Sequence, residues 1–197
     1  MKTLTLLFLS IALSMTSAAA RTEILFSPWV GYTFGGSVED QDSNELSVNG
    51  AESFALSIEA NIDNGRLGLF YATQTTEVER VNSNVSIHYL HFQSSVYYPV
   101  TKQLTSYLGL GVGGSYIDAD WVGQASGFSA SIFSGFEYPL SDTIAFNSQL
   151  RWLGTVVDNE TSGACSLPAQ QNNSCVIRFK TDWMNQFSLN LGLTFRF

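Results

Sequence analysis

Apolar residues occupy every second position over long stretches of this chain. The final segment shows the alternation most clearly, with polar or small residues between Phe187, Leu189, Leu191, Leu193, Phe195 and Phe197. A period of two places successive side chains on opposite faces of a β-strand. The same period predicts further strands near 24–34, 54–62, 104–113, 128–138 and 144–152. These elements predict an all-β protein.

Two further segments alternate less regularly. Residues 66–75 place Phe70 on the face opposite to its apolar neighbours, and residues 85–98 change parity between Tyr89 and Leu90. A β-bulge inserts one residue into a strand and shifts the parity of everything that follows it. We therefore expect a bulge in the second segment. With these two segments the predicted strand count is eight.

The connections distinguish a membrane barrel from a soluble sandwich. Short, turn-like connections at 63–65, 99–103 and 139–142 alternate with longer, more polar ones near 36–50, 76–84, 117–124 and 157–183. Short turns on one side and long loops on the other are typical of membrane barrels, whereas Greek-key sandwiches have no reason to alternate in this way. Because unpaired backbone groups are not tolerated in lipid, spanning strands must close on themselves. We predict a closed antiparallel up-and-down transmembrane β-barrel of about eight strands.

Aromatic residues concentrate near the predicted strand ends, where girdles at the two membrane interfaces are expected. Tyr97 and Tyr98 belong to the predicted girdle on the short-turn side.

The N-terminus has the pattern of an export signal. Lys2 precedes a short apolar run from Leu4 to Leu13, and Ala18, Ala19 and Ala20 form a small-residue cleavage site. We expect residues 1–20 to be a signal peptide and residues 21–197 to form the barrel domain. Export from a Gram-negative cell and an even strand number predict a cell outer membrane location with both termini periplasmic.

Composition narrows the partners and the redox setting. The formal net charge of −8 argues against nucleic acid, because a nucleic-acid binder needs a basic face. Cys165 and Cys175 are the only cysteines, and in an exported protein we expect them to form a disulfide rather than two free thiols. Closing so short a loop would contribute about 2–3 kcal/mol.

The last strand also carries a family resemblance. Its ending, Leu191-Gly-Leu193-Thr-Phe195-Arg-Phe197, together with the opening Pro28-Trp-Val-Gly-Tyr-Thr-Phe-Gly-Gly36, resembles the small eight-stranded outer-membrane barrels. These are the OmpA-like transmembrane domain and its OmpX and Ail relatives. In that family a terminal aromatic residue is read by the barrel-assembly machinery. The resemblance therefore implies that machinery as a partner, with Phe195 and Phe197 as the assembly signal.

Five charged residues are predicted to point into the barrel: Glu59, Arg66, Glu137, Arg151 and Arg196. Glu59 and Arg66 flank the turn at 63–65 and could pair, and Glu137 and Arg196 lie at the same level of their strands. Eight strands leave an interior that side chains just fill, or that holds one small ligand. Because buried charges are normally paired, an ionic plug is favoured over a polar pore.

Catalytic chemistry finds little support in the sequence. His88 and His91 point to opposite faces of a strand unless the expected bulge intervenes, so they do not form a ready metal site. Neither is followed by the His-x-Ser pattern of the lipid A deacylases, and the amphipathic helix of the palmitoyl transferases is missing. The glycines of 109–114 lack the following helix that a dinucleotide loop needs. We expect no cofactor and no metal.

The sequence therefore predicts a non-enzymatic, monomeric barrel that contributes to envelope integrity or to surface interactions through its outer loops. Outer-membrane lipids and lipopolysaccharide are the expected partners, and the loop ligand is open. One alternative is a narrow channel or carrier for small or apolar solutes, as in OmpW-like barrels. Others are a surface adhesin and, last, a lipid A-modifying enzyme.

Overall fold

The computed structural model describes residues 23–39, 45–47, 49–77, 84–119, 122–156 and 183–197. Within them lie ten strands: β1 (Ile24–Phe34), β2 (Ser37–Glu39), β3 (Glu45–Ser47), β4 (Ala51–Ile62), β5 (Gly65–Glu77), β6 (Asn84–Pro99), β7 (Thr105–Ala119), β8 (Val122–Pro139), β9 (Ile144–Val156) and β10 (Trp183–Arg196). No helix in this described part is long and apolar enough to cross a membrane.

Eight of the strands form one closed barrel. Their order is β1-β10-β9-β8-β7-β6-β5-β4, and every neighbouring pair is antiparallel. The barrel closes because β1 pairs with both β4 and β10. Strands β2 and β3 form a separate hairpin in the first long connection. The predicted fold class is confirmed.

The two ends of the barrel differ. The tight connections at 63–64, 100–104 and 140–143 lie at one end, here called the turn end, together with the start of β1 and the end of β10. The strand ends that lead into the other connections lie at the opposite end, here called the loop end. The prediction of a long connection near 117–124 is wrong, because β7 continues to Ala119 and pairs there with Val122 at the start of β8. At the turn after β4, Asp63 adopts a positive φ of 36°, a conformation that aspartate tolerates better than most residues.

Large apolar side chains cover the outward positions of the barrel strands. On β10, the exposed fraction of these side chains lies between 38% and 55% at Phe187, Leu189, Leu191 and Leu193. The inward positions of the same strand are buried and mostly polar, with Gln186, Ser188, Asn190 and Thr194. An apolar band around the outside and a polar inside is the inverse of a soluble barrel and the arrangement of a lipid-facing one.

The bulge expected in β6 is absent, and that prediction is wrong. Residues 84–96 pair with β5 and residues 85–99 pair with β7, in both cases without a shift in register. Val85, Ile87 and Tyr89 are buried inside the barrel, whereas Leu90 and Phe92 are exposed outside. The apparent change of parity arises because part of the interior is itself apolar, so both faces of β6 carry apolar residues. The irregularity that does occur lies in the β7–β8 pairing, between Ile117 and Ala119.

The apolar part of the interior is one packed cluster, here called the inner apolar cluster. It consists of Trp29, Phe70, Ala72, Val85, Ile87, Tyr89, Leu153 and Met184. It extends to the loop end, because Val85 and Met184 lie next to the loop-end limits of β6 and β10. Its presence explains why Phe70 interrupts the alternation of β5. The charged residues lie mainly on the other side of this cluster, towards the turn end.

Candidate functional site: the interior of the barrel

Three charged residues join three strands near the turn end. Arg66 of β5 forms two hydrogen bonds with Glu137 of β8, from Nη1 to Oε2 at 2.7 Å and from Nη2 to Oε1 at 2.9 Å. Arg196 of β10 donates from Nη2 to the same Oε1 at 2.7 Å. Only 6% of the Glu137 side chain is exposed, against 8% for Arg66 and 25% for Arg196. Paired, doubly hydrogen-bonded charges are the form in which buried ions are tolerated.

The partner of Arg66 differs from the hairpin neighbour that the sequence suggested. The Glu59 carboxylate accepts a hydrogen bond from Gln93 Nε2 at 2.9 Å, and Arg66 binds Glu137. The register of the β4–β5 hairpin places Glu59 opposite Gly68, and Asn61 opposite Arg66. Because Glu59 and Arg66 are not direct neighbours, the long arginine side chain extends across the narrow lumen to β8 instead.

Arg151 lies in a sandwich of two aromatic rings and is fully buried. Its Cζ atom is 3.7 Å from the ring centroid of Phe70 and 4.1 Å from that of Phe133. A guanidinium over a ring face is attracted by the ring quadrupole, and the attraction is strongest where water is excluded. The rings come from β5 and β8, and Arg151 comes from β9, so the sandwich crosses the lumen.

Neutral side chains take the hydrogen bonds of Arg151. Its Nε donates to Gln149 Oε1 at 3.0 Å, its Nη1 to Ser131 Oγ at 2.8 Å and its Nη2 to Gln93 Oε1 at 2.6 Å. Within the described residues no carboxylate forms a salt bridge with Arg151. The Gln93 amide instead links the two charges, because its nitrogen donates to Glu59 while its oxygen accepts from Arg151.

Tyr97 belongs to this interior and not to the girdle predicted for it. Its hydroxyl accepts a hydrogen bond from Arg66 Nη1 at 2.9 Å, and the Arg66 Cζ lies 4.2 Å from its ring centroid. Its ring stacks on Tyr107 with centroids 5.1 Å apart. Tyr98 is outward and 60% exposed, as expected for a girdle residue.

The two histidines of β6 lie on opposite faces. His91 is fully buried, with Nε2 2.7 Å from Ser129 Oγ and Nδ1 3.1 Å from Ser131 Oγ. The Ser131 hydroxyl also accepts from Arg151 Nη1, so that His91 and Arg151 share this side chain. His88 lies on the outer wall. The described residues contain no group of three or more potential metal ligands.

Little space remains beside the sandwich. A cavity lined by Ser53, Phe70, Tyr89, Arg151 and neighbouring residues has a volume of about 10 Å³. That volume corresponds to roughly one water molecule. Ser53 Oγ is buried and has no hydrogen-bond partner in the described part of the chain, so it is the polar group that such a water would meet. At this level, side chains fill the lumen.

The remaining residues singled out in the sequence take no part in these interior contacts. Phe195 pairs with Phe26 and Ile144 at the turn end, and Phe197 is 80% exposed. The backbone of Phe197 exchanges two hydrogen bonds with Ile24, which joins the end of the barrel to its beginning. Cys165 and Cys175 lie outside the described residues.

The sequence patterns did not predict the described partners of Arg151 as residues of the site: Gln93, Ser131, Gln149, Phe70 and Phe133. A signal for Gln93 was present, because the outward residues Leu90 and Phe92 fix its inward direction once β6 is read without a bulge. No comparable signal exists for the contact of Phe70 with Arg151, because their strands are not neighbours in the barrel.

Comparison with known proteins shows similarity at the level of structure. No family model and no curated protein matches the chain. The solved structure of neisserial surface protein A is similar with a TM-score of 0.61 at 9% identity, over 89% of this chain and 97% of that one. The solved structure of OprG from Pseudomonas aeruginosa also has a TM-score of 0.61, at 13% identity over 89% of this chain and 96% of that one. The structure of AlkL, solved in lipid bilayers, has a TM-score of 0.55 at 15% identity over 89% of this chain and 90% of that one.

These similarities are too low in identity to transfer a function, but they cover nearly all of each chain. They agree with the closed strand order of the barrel. The chain therefore has the fold of the small eight-stranded outer-membrane β-barrels.

Proposed function

We propose that this protein is an integral outer-membrane barrel with a closed lumen, and that it acts through its surfaces. It contributes to the integrity of the envelope, or to contacts at the cell surface through its outer loops, and it catalyses no reaction. The interior is then a structural plug, and the outer wall and the loops are the parts that meet other molecules.

One observation carries this proposal: Arg151 is clamped between Phe70 and Phe133 inside the barrel. A mobile arginine in an open lumen would line a polar pore. Here the guanidinium is fully buried, and three hydrogen bonds to Gln149, Ser131 and Gln93 fix it in addition to the two rings. Moving it would break all of these interactions at once. This arrangement favours a plug over a channel.

The dimensions of the outer wall support placement in a bilayer. On β6, the outward residues between His88 and Tyr98 are Leu90, Phe92, Ser94 and Val96. With a rise of about 3.3 Å per residue and a tilt of about 40°, the ten steps from His88 to Tyr98 span roughly 25 Å along the membrane normal. This equals the usual height of the apolar band of such barrels, so His88 and Tyr98 lie at its two interfaces.

The proposal can be tested in cells. The protein is expressed with its own N-terminus in a Gram-negative host, and membranes are separated by density. We expect it in the outer-membrane fraction. We also expect the unheated, folded protein to migrate differently in a gel from the heated, unfolded protein. Entry of a small chromogenic β-lactam should equal that of the vector control. Recovery in the inner membrane would contradict the location, and faster entry would contradict the closed lumen.

A second candidate function is a carrier for apolar solutes, and the inner apolar cluster favours it. The cluster reaches the loop end, where an apolar molecule could enter the barrel above Arg151. Trp29 reports on this cluster, because it is buried and its Nε1 donates to Ser57 at 3.3 Å. Titration with a long-chain alkane in detergent would change the Trp29 fluorescence of a carrier, and a Trp29→Phe variant identifies the signal. An unchanged spectrum would exclude this candidate.

A further inference from the structure

The outer wall carries one polar region at the loop end of β5, β6 and β7. Two rows of side chains cross these strands in register: Thr73, His88 and Tyr116 in one row, and Thr75, Ser86 and Asp118 in the next. Tyr71 reaches towards the first row. These seven residues are here called the outer polar patch.

The patch is organised by its own contacts. The Tyr71 hydroxyl lies 2.9 Å from His88 Nδ1, and the two rings stack with centroids 6.2 Å apart at 19°. On the other side of His88, the Tyr116 ring lies at 6.1 Å and 33°. Thr75 Oγ1 and Ser86 Oγ are 3.1 Å apart. The rings of Tyr71, His88 and Tyr116 therefore lie side by side, and the hydroxyls of Thr75 and Ser86 lie next to them. These mutual contacts fix the side chains of the patch relative to one another.

A notch lies directly below the patch, on its membrane side. Gly114 occupies an outward position between Leu90 and Phe128, one row from His88 and Tyr116. A Cβ added there would meet only the Gly127 carbonyl oxygen, at an ordinary 3.5 Å. The missing side chain therefore leaves open space in an otherwise apolar wall.

The opposite wall has a different character. There Phe34, Phe187 and Trp152 form an apolar row across β1, β10 and β9. Phe34 and Phe187 stack with centroids 6.1 Å apart. This side also has a polar contact, because Trp152 Nε1 donates to Asn185 Oδ1 at 3.2 Å. The wall formed by β5, β6 and β7 differs in that seven polar and aromatic side chains lie together there.

The chemistry of the patch selects one class of ligand. The outward positions of β5, β6 and β7 in the described residues carry no lysine or arginine, and Asp118 adds a negative charge. Such a surface is poorly suited to a bare phosphate. Ring faces can pack against the C–H face of a sugar, and hydroxyl, imidazole and carboxylate groups can hydrogen-bond its hydroxyl and amide groups.

We propose that the outer polar patch binds the sugar headgroup of an outer-leaflet glycolipid, the glucosamine unit of lipopolysaccharide, with an acyl chain in the notch at Gly114. The inference rests on the proposed membrane placement, because it requires His88 to lie at the outer interface. It is independent of whether the lumen conducts, so a conducting barrel would leave it standing.

The test is lipid retention by the refolded full chain in detergent, measured by native mass spectrometry. Three probes are compared: lipid A, lipid A with both phosphates removed, and phosphatidylglycerol. We expect both forms of lipid A to bind at least about tenfold more tightly than phosphatidylglycerol, which corresponds to one or two additional hydrogen bonds. The double variant Thr75→Val/His88→Leu should lose about that factor, and Phe187→Leu on the opposite wall should retain it.

A second variant, Gly114→Leu, fills the notch without touching the polar groups and should also weaken lipid A binding. Heat-dependent gel migration verifies that each variant is folded. Equal retention of the three lipids by the wild-type protein would overturn the proposal and identify an ordinary lipid annulus. Binding that vanishes when the phosphates are removed would overturn the sugar assignment. Equal losses of lipid A binding in Thr75→Val/His88→Leu and in Phe187→Leu would overturn the location of the site on the outer polar patch.

Discussion

The Cζ atom of Arg151 lies 3.7 Å from the ring centroid of Phe70, inside the barrel. The two residues come from β9 and β5, which are separated by three strands in the barrel order. Their contact therefore spans the lumen and does not merely line its wall. It fixes a buried positive charge without a salt bridge and fills the space in which a pore would run.

The first prediction concerns Glu137, which binds two arginines. Replacing it with alanine removes the carboxylate that Arg66 and Arg196 share, and the buried Arg66 loses its hydrogen-bonded counter-charge. Removing one partner of a buried pair costs about 3–5 kcal/mol. We expect Glu137→Ala to lower the free energy of unfolding by about that amount, measured by urea titration in lipid vesicles. Arg196→Ala, whose side chain is more exposed, should cost no more than about 1 kcal/mol. Equal effects of the two variants would contradict this arrangement.

The second prediction concerns the close approach of β7 to the Phe133 ring. A methyl group at Gly109 would overlap the ring edge of Phe133 and would lie 2.7 Å from the Ser94 carbonyl oxygen. The Arg151 guanidinium lies over the same Phe133 ring, with Cζ 4.1 Å from its centroid. Overpacking of this kind costs about 1–3 kcal/mol. We expect Gly109→Ala to be destabilised by that amount, and the added variant Phe133→Leu to recover part of the loss.

Gly114→Ala is the matched control for this prediction, because its Cβ points to open space on the same strand. A neutral Gly109→Ala would show that the Phe133 ring and the Ser94 carbonyl give way without cost. Equal destabilisation of the control would show that the loss does not come from the Phe133 contact.

The third prediction concerns the seam between β1 and β10. Pro28 has no N–H, and the β1–β10 pairing is interrupted at Ser27 and Pro28. A side-chain bond spans this gap, because Ser27 Oγ lies 2.6 Å from Thr194 Oγ1, which also accepts from Asn147 Nδ2 at 2.8 Å. Thr194→Val leaves two buried polar groups unpaired and should cost about 1–3 kcal/mol.

Thr194→Ser retains the hydroxyl and should recover most of that stability. Hydrogen exchange of the β1 and β10 amides provides a local measurement, and we expect faster exchange at the seam in Thr194→Val alone. Unchanged exchange would mean that the backbone pairing closes the seam unaided.

Most of the outer wall could be predicted from the sequence, because lipid favours apolar side chains there and a strand alternates between its two faces. The alternating apolar residues from Phe187 to Leu193 are the exposed positions of β10. The interior obeys a looser rule: its side chains need only fill the lumen and satisfy each other. Val85, Ile87 and Tyr89 are therefore apolar and inward, and they gave β6 a false change of parity.

The inward direction of the five charged residues could also be read from the sequence, but not all of their partners. Counting from strand ends places Glu137 near Arg196, and the two are in contact. The same counting suggested Glu59 for Arg66, whose actual partner is three strands away in the barrel order. Cross-lumen pairs depend on the tilt and stagger of the whole barrel, which no local pattern contains.

The central claim is that side chains close the lumen, and single-channel conductance of the refolded wild-type protein in a planar bilayer tests it most directly. We predict no steady current across the wild-type barrel, and transient openings only in Arg151→Ala, where the sandwich between Phe70 and Phe133 loses its centre. A stable, reproducible conductance of the wild-type protein would contradict the closed lumen and make transport the leading function.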